Sequence, residues 1–148
     1  MTQHKTIELY TDGGSRGNPG PAAIGVYIKT LGKTYGECIG ETTNNDAEYQ
    51  ALIFGLKKIK ALVGKVQARQ VRVACFLDSE LIVKQLNHEY KIADAAMQQL
   101  FITVWNLMLD FQDVTFTHVP RSQNRIADAA VNRALDTCMA QNKQVKLV

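Results

Sequence analysis

The chain has 148 residues, of which 46% are hydrophobic, 21% charged and 7% aromatic, and it carries a formal net charge of +3. A chain of this length buries roughly 70% of the surface its unfolded form exposes, so it holds a core of its own, and disordered, collagen-like and disulfide-stapled classes are excluded. No apolar run approaches the roughly 18 residues that a membrane span requires, and the mild positive charge is compatible with a polyanionic partner without proving one.

Thr6–Asp12 alternates in a β manner, and the Gly- and Pro-rich stretch from Asp12 to Pro21 reads as a loop that contains a Gly13-Gly14-Ser15 turn. Ala22–Thr30 and Lys33–Thr42 read as two further strands joined at Leu31-Gly32, which makes an antiparallel meander. From Asn45 the period becomes helical, with Ala51, Leu52, Gly55, Leu56 and Ile59 on one face. Two pairs fit the spacing of a helix cap, Thr43 with Asp46 and Asn45 with Glu48. Val71–Asp78 is nearly continuous in apolar residues, as in a strand covered on both faces. Ser79–Asn87 reads as a short helix, and a longer one follows Asp94 with Met97, Leu100, Phe101, Val104, Met108 and Phe111 as its apolar stripe and Trp105 in its core. Val114–Val119 is a strand and Asn124–Leu135 a helix. The order βββαβααβα predicts an α/β domain with a mixed sheet and helices on its faces.

Cys38, Cys75 and Cys138 form an odd set with no close pair. That argues against a disulfide framework or a zinc knuckle and for a reducing compartment, so a soluble cytoplasmic protein is expected.

Four acidic residues stand apart by position. Asp12 and Asp78 each close a strand, Glu48 lies early in one helix and Asp128 near the start of another. The carboxyl ends of strands in an open α/β sheet form the usual ligand crevice, so these groups can meet there if the strands are neighbours. Converging carboxylates repel one another unless cations neutralise them, and Mg²⁺ and Mn²⁺ prefer such oxygen ligands. Taken singly, each residue also reads as a turn former or a partner of a helix dipole.

Four ordered motifs carry a more specific signal: Tyr10-Thr11-Asp12-Gly13-Gly14-Ser15-Arg16-Gly17-Asn18-Pro19-Gly20, Thr43-Asn44-Asn45-Asp46-Ala47-Glu48, Leu77-Asp78-Ser79, and the run from His118 to Asp128. Together they resemble type 1 ribonuclease H over residues 6–135. The resemblance implies a ribonuclease H-like fold with a five-stranded mixed sheet, three antiparallel strands followed by parallel ones. It also implies an endonuclease that cuts the RNA strand of RNA/DNA hybrids with two Mg²⁺ or Mn²⁺ ions and leaves 5′-phosphate and 3′-hydroxyl ends. By the same resemblance Asp12, Glu48, Asp78 and Asp128 are catalytic metal ligands, with Glu48 near the RNA 2′-hydroxyl side. Gly13, Gly14, Ser15, Asn18, Asn44, Asn45 and Ser79 contact substrate, and Thr43 matches a position that holds a phosphate of the DNA strand. Such contacts suit an enzyme that must read the 2′-hydroxyl across a shallow minor groove, although the glycines, Asn45 and Ser79 also read as turn and cap residues.

The chain departs from the family pattern in two places. Where many members carry a mobile histidine before the last Asp, this sequence has Arg121. Its guanidinium stays protonated and cannot act as a base, but it can hold a leaving phosphate. The His118-Val119-Pro120-Arg121 form resembles a prokaryotic subgroup. The basic, Trp-containing insertion of some members is also missing, because only Asn87–Ala93 occupies that place, so salt-dependent binding is expected. Residues 1–138 are expected to form the ribonuclease H domain and Met139–Val148 a loose tail, with an added edge strand or a docking peptide as other readings. The expected partner is an RNA/DNA hybrid, and the expected state is a monomer with no membrane association and no obligate protein partner. Two readings stay open beside hybrid cleavage: a non-catalytic nucleic-acid binding module of the same fold, and a nuclease shifted to another substrate such as double-stranded RNA.

Overall fold

Alternation along the first strand puts Ile7, Leu9 and Thr11 on one side of an extended chain, and all three are fully buried in the computed structural model, which describes residues 5–146. Five strands follow from the pattern: β1 (Lys5–Ser15), β2 (Gly20–Ile28), β3 (Lys33–Thr42), β4 (Val71–Leu77) and β5 (Asp113–His118). They form one sheet in the order β3-β2-β1-β4-β5. The first three pair antiparallel, whereas β4 lies parallel to both β1 and β5. The central place of β1 sets its carboxyl end beside that of β4.

The helices are α1 (Asn44–Val63), α2 (Lys65–Ala68), α3 (Glu80–Leu86), α4 (Ala95–Met108) and α5 (Arg125–Lys146). One face of the sheet offers Ile7, Leu9, Val26, Ile28, Val73, Cys75 and Leu77, which pack with Leu52, Leu56 and Ile59 of α1 and Val104 of α4 in a single core. Each fully buried side chain of this kind contributes about 1.5–3 kcal/mol relative to exposure, so this layer carries most of the stability. On the opposite face α5 packs Val131 and Leu135 against Ala23. Gly25 permits that approach, because a Cβ there would strike the Ala127 carbonyl.

Several expectations are corrected. Gly13, Gly14 and Ser15 are strand residues opposite Ile24, Ala23 and Ala22, and the turn comes after them, where the Arg16 amide bonds the Pro21 carbonyl at 2.8 Å. Thr43 caps α1 by accepting from the Asp46 amide at 3.2 Å, so Asn45 lies within the helix rather than at its cap. Trp105 is 49% exposed. Val104 holds the buried position of α4, and the next residue along a helix points about 100° away. The four-residue α2, which has no periodicity to signal it, completes the crossing from α1 to β4.

The last helix does not stop at Leu135. It continues to Lys146 because no Gly or Pro interrupts it and because Arg16 holds it through Asp136 at 2.6 Å and the Met139 sulfur at 3.2 Å. Residues 139–146 of the expected tail are therefore helical, and Leu147 and Val148 lie outside the described residues. Cys38 and Cys138 form a disulfide with Cα atoms 6.5 Å apart, which overturns the reading of the cysteines. Their separation of 100 residues hid the pair, and the packing of α5 on β3 brings it together. Among the described residues no helix is long and apolar enough to cross a membrane.

Candidate active site

The parallel register of β1 and β4 sets Thr11 opposite Leu77, so the next residues, Asp12 and Asp78, emerge at one level of the sheet. Glu48 reaches the same place from the fifth residue of α1. The start of α1 lies directly on β1, and Gly13 makes that possible: a Cβ at this position would overlap the Ala47 carbonyl and the Glu48 amide. Asp12, Glu48 and Asp78 each present an oxygen within 4.8 Å of the others.

Asp12 and Glu48 are each only 7% exposed. Burial, and next the charge of Asp78, pushes the Asp12 carboxyl up to about 7 from 3.8. Glu48 is pushed well above its ordinary value by burial and then by the charge of Asp12, while the Gly13 amide pulls it back. Glu48 Oε2 has no hydrogen-bond partner. Two buried acids, one orphaned oxygen and a donor set made only of carboxylate oxygen fit a hard divalent cation. Among the described residues no other group of three or more His, Cys, Asp or Glu side chains converges in this way.

Asp128 stands at the edge of the cluster rather than within the close three. Its Oδ1 accepts from Arg121 Nη2 at 3.3 Å, and the Arg121 side chain is 79% exposed. A cleft of about 410 Å³ collects Asp12, Gly13, Gly14, Ser15, Asn44, Asn45, Glu48, Asp78, Ser79, Arg121 and Asp128. Thr43 and Asn18 line a neighbouring groove together with Asp94 and Thr103. Asn44 joins the cleft wall to the β1–β2 turn: its Oδ1 accepts from the Ser15 amide at 2.9 Å and hydroxyl at 3.0 Å, while its own amide donates to Asn18 Oδ1 at 3.0 Å. Ser79 caps α3 by accepting from the Ile82 amide at 3.3 Å.

Three polar residues in or beneath the cleft lie outside the sequence reading of the site. Arg16 and Asn132 line the cleft, and Asn124 donates from Nδ2 to the Thr11 carbonyl at 2.8 Å and to Asp78 Oδ2 at 3.1 Å. The available signal for Asn124 was its place four residues before Asp128, which alone reads as the entrance to a helix.

Comparison with known proteins supports the same region. A family model described as "Reverse transcriptase-like" matches residues 10–134. The Ribonuclease HI of Halobacterium salinarum is 38% identical over 135 residues, which cover 88% of this chain but 64% of that protein. The Bifunctional protein Rv2228c of Mycobacterium tuberculosis is 35% identical over 135 residues, and the match spans 35% of its length. Against both of these relatives the chain therefore covers less than two thirds of the partner. Among solved structures, LC11-RNase H1 in complex with an RNA/DNA hybrid superposes with a TM-score of 0.83 at 38% identity, covering 90% of this chain and 99% of that one.

Proposed function

Because the chain belongs to the ribonuclease H family, we propose that it is an endonuclease that hydrolyses the RNA strand of RNA/DNA hybrids, leaving 5′-phosphate and 3′-hydroxyl ends. The observation that carries this reading is the convergence of Asp12, Glu48 and Asp78, with oxygens within 4.8 Å of one another, at the carboxyl ends of parallel strands. Asp12, Glu48, Asp78 and Asp128 are the residues to hold two Mg²⁺ or Mn²⁺ ions. The chemistry that such ions supply when bound is neutralisation of the acidic cluster, a lowered water pKa and charge stabilisation on both oxygens of a phosphodiester displacement.

The remaining steps fall to the chain itself. Burial of Asp12 and Glu48 excludes water from one side of the cluster and makes ionisation of both costly without a cation. Asn44 is held through Oδ1 by Ser15, which leaves its Nδ2 donor uncommitted for a base edge or a 2′-hydroxyl in the minor groove. Gly13 and Gly14 bring backbone to the floor of the cleft, and Ser15, Asn18, Asn45, Ser79 and the phosphate-holding Thr43 complete the substrate contacts. Arg121, with its side chain largely in solvent beside Asp128, can swing to the leaving phosphate without acting as a base. The resemblance of the His118-Val119-Pro120-Arg121 run to a prokaryotic subgroup supports this part of the reading. A monomer is sufficient, because every group named comes from one chain.

The substrate claim is tested by offering end-labelled RNA/DNA hybrid, double-stranded RNA and double-stranded DNA in parallel with Mg²⁺ and Mn²⁺. Cutting of only the RNA strand of the hybrid is expected. Equal cutting of double-stranded RNA would move the substrate, and binding without cutting would make the chain a nucleic-acid binding module.

A further inference from the structure

Asn124 is 1% exposed and bonds to both strands that carry the converging aspartates. Its Nδ2 donates to the Thr11 carbonyl, one residue before Asp12, and to the Asp78 carboxylate. Its main-chain carbonyl accepts from the Asp128 amide at 3.0 Å, so it also closes the turn that leads α5 to Asp128. Both side-chain neighbours are acceptors, so only the NH₂ end of the amide can face them.

This arrangement leaves Oδ1 buried with no partner. An unmade hydrogen bond of that kind is a cost that an apolar residue would avoid. Buried polar groups are rarely left so, and here the other end of the same amide bonds a carboxylate of the cluster. The chemistry of the place explains the choice of side chain. Lys or Arg would also donate, but would bring a positive charge into a cluster that needs its negative charge for cations. Asp would remove the donor and add repulsion.

We propose that Asn124 is a positioning residue that holds the Asp78 carboxylate at a fixed place relative to the Asp12 strand and to the first turn of α5, so that the ligand oxygens keep their spacing before a cation arrives. The inference rests on the cation-dependent hydrolysis proposed above, and Asn124 acts through Asp78 rather than on substrate.

The test compares wild type with Asn124→Ala and with Asn124→Leu, which keeps the size and loses the donor. Far-UV circular dichroism reports folding, the rise of Tm with Mg²⁺ concentration reports cation binding without turnover, and hybrid cleavage reports kcat and KM separately. Both variants are expected to fold, to need about 10- to 100-fold more Mg²⁺ for half of the Tm rise, and to lose kcat by a similar factor with KM unchanged. High Mg²⁺ should restore part of the kcat of Asn124→Ala. Folded variants with the wild-type Mg²⁺ midpoint and kcat would overturn the proposal, as would failure of both variants to fold, which would make Asn124 a determinant of the fold. A wild-type protein that is stabilised by Mg²⁺ but cuts no hybrid would defeat the functional reading alone, and the Mg²⁺ midpoints would still decide the role of Asn124.

Discussion

Thr11 stands opposite Leu77 across the parallel β1–β4 pair, and this register places the carboxylates of Asp12 and Asp78 side by side. Neither side chain supports the core of the sheet. Asp12→Asn and Asp78→Asn should therefore keep the fold and lose hybrid cleavage by about 10³-fold or more, the scale expected when one member of a group acting as a unit is removed. Steady-state cleavage with circular dichroism of the same samples checks both halves. Near wild-type turnover in either variant would contradict the assignment.

Acidity offers a second test, on the metal-free protein. Asp12 is raised from 3.8 to about 7, so between those values the folded state binds the proton more tightly than the unfolded state. Stability from this group is then present at the acid end and is lost as pH rises through about 7, by on the order of 2–4 kcal/mol. Glu48, also raised, acts in the same direction. In EDTA, Tm should fall between pH 5 and pH 8, Asp12→Asn should be more stable than wild type at pH 8, and added Mg²⁺ should restore the wild-type Tm at pH 8 through binding to the folded state. Identical pH profiles for wild type and Asp12→Asn would show that the carboxylates do not interact as described.

The two adjacent glycines of β1 should respond differently to a methyl group. At Gly13 a Cβ meets the Ala47 carbonyl and the Glu48 amide, so Gly13→Ala must displace the backbone that carries Glu48. A loss of about 1–3 kcal/mol in denaturant unfolding is expected, together with a larger fall in kcat than in stability. At Gly14 the nearest atom is the Val131 Cγ1 at 3.7 Å, an ordinary contact, so Gly14→Ala should stay within about 0.5 kcal/mol of wild type.

The Cys38–Cys138 bridge closes a loop of 100 residues and ties the later turns of α5 to β3. Without reductant, denatured protein should expose one reactive thiol, from the buried Cys75, and with reductant three. Reduction or Cys138→Ser should lower stability by about 2–4 kcal/mol. Three reactive thiols in the absence of reductant would rule out the bridge.

Much of the architecture was legible because each strong pattern had one solution. The alternation of β1, the apolar run of β4 and the stripe of α1 read directly as elements, and the capping pair Thr43 and Asp46 marked the start of α1 correctly. The convergence of Asp12, Glu48, Asp78 and Asp128 is expected from their places at element ends; the oxygens of the first three do meet, whereas Asp128 stands at the edge of the cluster. What escaped was set by tertiary contact. Gly13 and Gly14 looked like turn formers, yet they extend a strand, Gly13 because α1 lies against it. Trp105 looked like core within an apolar helix, but nothing local tells which face a partner covers. The disulfide and the extra turns of α5 depend on residues more than 90 positions away, and the bonds of Asn124 to Thr11 and Asp78 span 113 and 46.

The central claim is that the carboxylate cluster of this chain drives cation-dependent cleavage of RNA paired to DNA. It is tested most directly by following an RNA strand labelled at its 5′ end in a hybrid duplex, with wild type and Asp12→Asn, in Mg²⁺ and in EDTA. Wild type in Mg²⁺ alone is expected to yield fragments ending in 3′-hydroxyl, with Asp12→Asn folded and inactive. Cleavage that persists in EDTA, or in Asp12→Asn at the wild-type rate, would contradict the claim.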